Sequence, residues 1–293
     1  MSDDGLPKVG LALSGGVAKV LAHVGILRAL SEASVPIDAI AATSGGSIVG
    51  AFYAAGFELS DMQDIARTLS WRRLTRVTLP KLGLLSNDKL ERFVIERIGK
   101  KRFEDLSIPF AVVGADLTTG KKAVFTKGEL GPAIRASCSI PQLFPPVQID
   151  GHYICDGGLV EYLPIQTLDD LGVDIKIGVN LGGVRNWHER DPRNFLEIAL
   201  RVVGYVSQQN ARISESMADY VIRPNVADFG PSDLDRADEL IGIGYEAGRD
   251  AVPHLLALIQ ERIAETSDGG DWSRIVRWFR RYSPVPGTTG KKS

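Results

Sequence analysis

The amino-acid sequence predicts an α/β fold built on a largely parallel sheet, and two observations carry that expectation. Short runs of aliphatic, β-prone residues alternate with segments of helical periodicity. In addition, the order strand, glycine turn, apolar helix occurs twice within the first 56 residues.

The first copy starts with Val9-Gly10-Leu11-Ala12-Leu13, a buried strand that breaks at Ser14-Gly15-Gly16. Val17, Val20, Leu21, Val24, Leu27 and Leu30 then recur at helical spacing. In the second copy, residues 37–43 read as a strand, Ser44-Gly45-Gly46-Ser47 as a tight turn, and residues 48–56 as an almost wholly apolar helix. A helix apolar all round belongs inside, packed on the sheet. Phe110-Ala111-Val112-Val113-Gly114-Ala115 is a third buried strand, and residues 175–181 and 220–223 are further ones. Residues 61–107 read as mainly helical, with a proline and glycine break at 80–83, and 190–218 and 234–265 as helices. The expected organisation is an α/β domain over 7–225, a helical extension over 226–283 packed on it or at a membrane surface, and a flexible tail over 284–293.

Composition narrows the function classes. Lys plus Arg number 34 against 36 Asp plus Glu, a net charge of −2, so no global basicity points to nucleic acid. The two cysteines, Cys138 and Cys155, form neither a disulfide framework nor a metal pattern. The first eight residues lack a charged-then-apolar leader, and no apolar stretch reaches the ~20 residues that span a bilayer. The expectation is a cytoplasmic protein without metal or organic cofactor.

Three segments carry chemistry. A serine between a buried strand and a buried helix, flanked by glycines, is the geometry of a nucleophile elbow, G-x-S-x-G; here it stands as Ala42-Thr43-Ser44-Gly45-Gly46. Taken alone it also fits a plain Ser-Gly-Gly turn. The glycine loop Ser14-Gly15-Gly16-Val17-Ala18-Lys19 can turn adjacent N–H groups onto one point, a cradle for a phosphate or an oxyanion. It lacks the Gly-Lys-Ser/Thr of a P-loop and the G-x-G-x-x-G of a dinucleotide site, which counts against nucleotides. In Asp156-Gly157-Gly158 a carboxylate leaves an apolar run directly into flexible backbone, whereas Asp150 sits in what reads as a hairpin turn. A carboxylate in a dry site can serve as a general base.

In this order the three segments resemble the patatin-like phospholipase family. Further stretches are similar to it: residues 83–90, Ala115-Asp116-Leu117, and Ala136-Ser137-Cys138-Ser139-Ile140-Pro141 with Phe144-Pro145-Pro146. The resemblance covers roughly residues 8–182. It implies a three-layer α/β/α sandwich and a serine–aspartate dyad without histidine. Ser44 would be the nucleophile, Asp156 its base, and the backbone N–H groups of Gly15, Gly16 and Val17 the oxyanion-binding donors. The implied function is lipid acyl hydrolysis of the phospholipase A or lysophospholipase kind. Ser14, Val17 and Val20 replace glycines usual in the family, Lys19 replaces arginine, and Ala42 replaces the first elbow glycine. These changes keep a second reading open, a catalytically silent domain that binds lipid or a protein partner.

Four histidines are present, His23, His152, His188 and His254. The last two follow Asp156, so a Ser-Asp-His triad is a formal alternative. Two segments rich in basic and aromatic residues, 70–81 and 272–282, suit peripheral contact with a membrane. Both also suit a helix that packs its apolar side on its own core and turns its arginines to water.

Overall fold

The computed structural model describes residues 6–77, 82–182 and 191–265. In chain order its elements begin with β1 (Val9–Leu13), α1 (Leu21–Glu32), β2 (Ala39–Thr43), α2 (Gly45–Ala54), α3 (Leu59–Arg67) and α4 (Trp71–Leu74). There follow β3 (Arg76–Val77), β4 (Leu85–Ser86), α5 (Asp88–Ile98), β5 (Phe110–Asp116), β6 (Lys121–Phe125) and α6 (Leu130–Ser137). The chain continues with β7 (Val147–Ile149), β8 (His152–Asp156), α7 (Ile165–Asp170), β9 (Ile175–Val179), α8 (Phe195–Glu215), β10 (Tyr220–Ile222) and α9 (Ala237–Glu265). The strands expected from apolar runs are there, and the two strand–turn–helix copies are β1–α1 and β2–α2.

The sheet runs in the order β10-β9-β1-β2-β5-β8-β7, with β6 also paired to β5. The stretch from β10 to β5 is parallel, while β6, β7 and β8 add an antiparallel margin. The β7–β8 hairpin turns on Asp150-Gly151, both at positive φ (50° and 83°), the mirror-image turn that Asp-Gly favours. Around residues 76–86 the helical stretch is interrupted by the β3–β4 ribbon.

Alternation along each central strand separates two unequal faces. Val9, Leu11 and Leu13, Ile40, and Phe110 and Val112 point into the large core beneath α1, α2 and α9. Ala12, Ala41 and Ala111 point the other way, where their small side chains let Leu163, Ile165, Leu168 and Ala211 approach. The result is a three-layer α/β/α sandwich.

The described part of the C-terminal extension lies on the large face. Leu240, Leu255, Ile259 and Ile263 of α9 share one core with β1. Glycines bring α9 against α1 at backbone contact: a Cβ at Gly244 would strike the Ala22 carbonyl, and one at Gly25 the Ile241 carbonyl. Residues 266–293, including the segment 272–282 and the tail, lie outside the described residues, as do 78–81 and His188.

Gly244→Ala is therefore expected to push α9 off α1 and cost about 1–3 kcal/mol of stability. Urea unfolding of the variant beside Gly242→Ala, a glycine with open space at its Cβ, checks this.

Candidate active site

The pairing of β5 decides where Ser44 and Asp156 end up. One edge of β5 is taken by β6 along residues 112–116. The opposite edge is shared: β2 runs parallel along it as far as Thr43 opposite Val113, and β8 runs antiparallel with Asp156 opposite Gly114. The two strands thus meet end to end, and the residues leaving them are forced together. Ser44 Oγ donates to Asp156 Oδ2 at 2.7 Å.

The junction leaves ladder groups without strand partners, and the Ser137 hydroxyl and the Ser139 carbonyl supply them. Ser137 Oγ donates to the Val113 carbonyl at 2.6 Å and accepts from the Ser44 N–H at 2.7 Å. The Asp156 N–H donates to the Ser139 carbonyl at 3.0 Å. Thr43 Oγ1 donates to the carbonyl of Glu161 at 2.8 Å. The buried Glu161 carboxylate in turn takes up Lys122 Nζ and Thr167 Oγ1. Sequence reading found the segment 136–141 only as a resemblance and gave Ser137 no role. A hydroxyl between a strand carbonyl and an elbow amide is a tertiary contact with no local signature.

Ser44 adopts φ 52°, ψ −134° between β2 and α2. This region costs a residue with a Cβ on the order of 1–3 kcal/mol, held by the packing around it. Neighbouring glycines make room. A Cβ at Gly46 would strike the Leu13 and Ser14 carbonyls, and one at Gly15 would fall 3.0 Å from Ser44 Cβ and 3.6 Å from its Oγ. The glycine loop therefore lies directly on the serine.

Gly16 (φ 153°) and Val17 (φ 53°) carry the loop's turn, and both border one cavity with Ser44 and Asp156. Val17 is a β-branched residue in the left-handed region, a strained conformation that a glycine would adopt freely. The loop is tethered from several sides. Tyr162 Oη donates to the Gly15 carbonyl at 2.8 Å, and Ser14 Oγ accepts from the Leu181 N–H at 3.1 Å. The His23 Nε2–H donates to the Ser14 carbonyl at 2.9 Å. The hydroxyl at position 14, where glycine is usual, thus has a structural partner in the strand-end segment after β9.

Electrostatically the site is set by burial. Burial pushes the Asp156 carboxyl up to about 6, against the lowering effect of the Ser44 hydroxyl and the Gly158 N–H, which donates to Oδ1 at 2.8 Å. Lys19 is buried and borders the same cavity; burial pulls its ammonium down to about 8, opposed by the charge of Asp228. Burial and the nearby Asp156 charge also push Cys155 up to about 12, and Cys138 rises for the same reasons, so both are inert free thiols.

The described histidines are engaged elsewhere. His23 is buried, and burial holds its imidazole down at about 4. His152 bonds Asp116, whose carboxylate also holds the Thr118 N–H and Thr119 Oγ1 in the β5–β6 turn. His254 packs edge-on against Tyr220. Among the described residues no histidine bonds Ser44 or Asp156. In the segment 70–77 Trp71 and Leu74 face a second cavity at Ser44, while Arg72, Arg73 and Arg76 are exposed.

Two stability predictions follow from strain and from burial. Ser44→Ala and Ser44→Gly both lose the hydroxyl, so their difference isolates the backbone: the glycine variant is expected to be the more stable by about 1–3 kcal/mol in denaturant unfolding. For Asp156 the folded state raises the carboxyl from 3.8 to about 6, so the folded state favours the proton. The stability associated with it is full below about pH 4 and is lost as pH rises through 6, on the order of 3 kcal/mol in total. Asp156→Asn is thus expected to be more stable than wild type at pH 8 and to lose that advantage at pH 4, read from urea unfolding at both values.

Comparison with known proteins agrees with this architecture. The family model described as patatin-like phospholipase matches residues 11–169. Lysophospholipase NTE1 of Pyricularia oryzae is 28% identical over 278 residues, covering 84% of this chain and 18% of the fungal protein. An uncharacterized NTE family protein of Mycobacterium bovis is 36% identical over 188 residues, 63% of this chain and 52% of its own length. The chain therefore spans under a fifth of the fungal relative and about half of the mycobacterial one. Among solved structures, VipD from Legionella pneumophila superposes with a TM-score of 0.51 at 15% identity, over 86% of this chain and 67% of VipD, a likeness of fold. With a family model matching more than half of its length, this chain belongs to the patatin-like phospholipase family.

Proposed function

We propose that this protein hydrolyses acyl esters of lipids, in the manner of a phospholipase A or lysophospholipase, with Ser44 and Asp156 as a catalytic dyad. The observation that carries the reading is the 2.7 Å hydrogen bond between the Ser44 hydroxyl and a buried carboxylate, beside a glycine loop and bordering a cavity. Family membership and fungal relatives named lysophospholipases support lipid as the substrate class.

In the proposed reaction Ser44 Oγ bonds to the ester carbonyl carbon while its proton passes to Asp156 Oδ2. The carbonyl electron pair moves onto oxygen, and the backbone N–H groups of Gly15, Gly16 and Val17 receive that charge. Collapse of this intermediate breaks the ester C–O bond, and the departing alkoxide takes the proton from Asp156. Water then attacks the acyl-serine, gives a proton to Asp156, and releases the fatty acid as Ser44 recovers its hydrogen. A base near 6 suits this traffic, being ionised at neutral pH yet basic enough to accept the proton. The Gly158 N–H on Oδ1 leaves Oδ2 aimed at the serine. No helix among the described residues is long and apolar enough to cross a membrane; contact with a lipid surface through the exposed Arg72 and Arg73 belongs to the same proposal.

The test is hydrolysis of a lipid panel by wild type, Ser44→Ala and Asp156→Ala, with folding checked by circular dichroism. Both variants are expected to lose at least 100-fold in turnover while staying folded. A covalent fluorophosphonate probe should label wild type and not Ser44→Ala. Folded wild type that neither turns over lipid nor takes the label would overturn the reading in favour of a silent lipid-binding domain.

A further inference from the structure

The Gly15 carbonyl is held by two hydroxyls. Tyr162 Oη donates to it at 2.8 Å and Ser14 Oγ at 3.2 Å. In a trans peptide the N–H points opposite to the C=O, and among the described residues no peptide is cis. Holding the Gly15 carbonyl therefore sets the direction of the Gly16 N–H. Among the described residues none accepts from that N–H, and Gly16 borders the first cavity together with Ser44. Next in the chain, Val17 at φ 53° is a strained conformation that persists only where its surroundings hold it.

Tyr162 reaches the loop from the same segment that carries Asp156. That segment is anchored from behind through Glu161, whose buried carboxylate takes the N–H groups of Gln166 and Thr167 as well as Lys122 Nζ and Thr167 Oγ1. The tyrosine ring packs on the cluster that holds Ala12, Ala41 and Leu163. Gly15 lies between that ring and the nucleophile: a Cβ there would stand 3.1 Å from Tyr162 Cε2 and 3.0 Å from Ser44 Cβ. A glycine at this position lets the tyrosine and the serine close on the loop from two sides.

We propose that Tyr162 is a positioning residue for the oxyanion step: its hydroxyl, backed by that of Ser14, fixes the Gly15–Gly16 peptide so that the Gly16 N–H meets the developing charge. This rests on the hydrolase reading and names the side chains that make its glycine loop competent. In this role Tyr162 acts through the backbone and stays outside the proton path between Ser44 and Asp156. Its effect therefore falls on the rate of the chemical step, with substrate binding and the titration of the base left in place.

Tyr162→Phe keeps the ring and deletes the hydroxyl, and it is the test. On a soluble short-chain ester its kcat is expected to fall about 10- to 100-fold while KM stays within about twofold. The pH at which kcat inflects should match wild type. Ser14→Ala removes the longer bond and should lower kcat about threefold at unchanged KM, which tests the proposal by itself should Tyr162→Phe fail to fold. A trifluoromethyl ketone adds to a serine hydroxyl and carries a tetrahedral oxyanion. It should bind Tyr162→Phe about tenfold more weakly than wild type, whereas the matching carbinol, which forms no adduct, should bind both alike. Unchanged kcat and ketone affinity, a loss carried by KM or shared by the carbinol, or a displaced inflection would overturn the proposal. The tyrosine would then be inert, a substrate contact or a partner of Asp156, in that order. Folded wild type that cleaves no ester and binds the ketone no more tightly than the carbinol overturns the hydrolase reading, and this inference with it.

Discussion

The arrangement depends on one edge of β5, which two strands divide between them. Because β2 stops at Val113 and β8 arrives at Gly114 from the other direction, the chain ends of both are delivered to the same few ångströms. The Ser137 hydroxyl closes the gap by taking the carbonyl of one strand and the amide leaving the other. An alcohol and a carboxylate separated by 112 residues are thereby held at hydrogen-bond distance without either residing on a mobile loop.

That geometry has costs, and their location is informative. Ser44 and Val17 both hold positive φ, and Asp156 is a carboxyl whose burial opposes its own ionisation. All three face the first cavity, while the strands behind them are buried and regular. Other non-glycine residues, Ser34, Gln142 and Asp150, also hold positive φ, but here such backbone coincides with a desolvated carboxylate, the combination expected of a site. In the proposed reaction the same desolvation takes the place of a histidine, since it raises the Asp156 carboxyl to about 6.

Much of this was legible in the sequence. The alternation of apolar runs and helical periods gave the parallel core, because buried parallel strands are written as unbroken aliphatic stretches. Asp-Gly at 150–151 announced the hairpin, and glycines beside Ser44 announced the elbow. The antiparallel margin was harder. β6 (Lys-Lys-Ala-Val-Phe) is half-exposed and its polar start hides it, and α6 contains a Gly-Pro pair that reads as a turn. The contacts that hold Ser44 and Asp156 together were not legible at all. Ser137 on Val113, His23 on Ser14 and Tyr162 on Gly15 are tertiary hydrogen bonds, and no local pattern distinguishes those residues from ordinary helix and turn residues. Trp71 and Leu74 lie in a segment that the sequence left open between membrane contact and packing on the core; both are half-buried and border a cavity at Ser44.

The central claim is that the buried Asp156 carboxylate activates Ser44 through the bond between them. It is tested most directly by the pH dependence of the rate at which a fluorophosphonate labels Ser44. The account predicts a rate that rises through a single inflection near pH 6 and is high on the alkaline side, with that inflection absent in Asp156→Asn. A labelling rate flat between pH 5 and 8 in wild type, or an inflection that survives in Asp156→Asn, would contradict it.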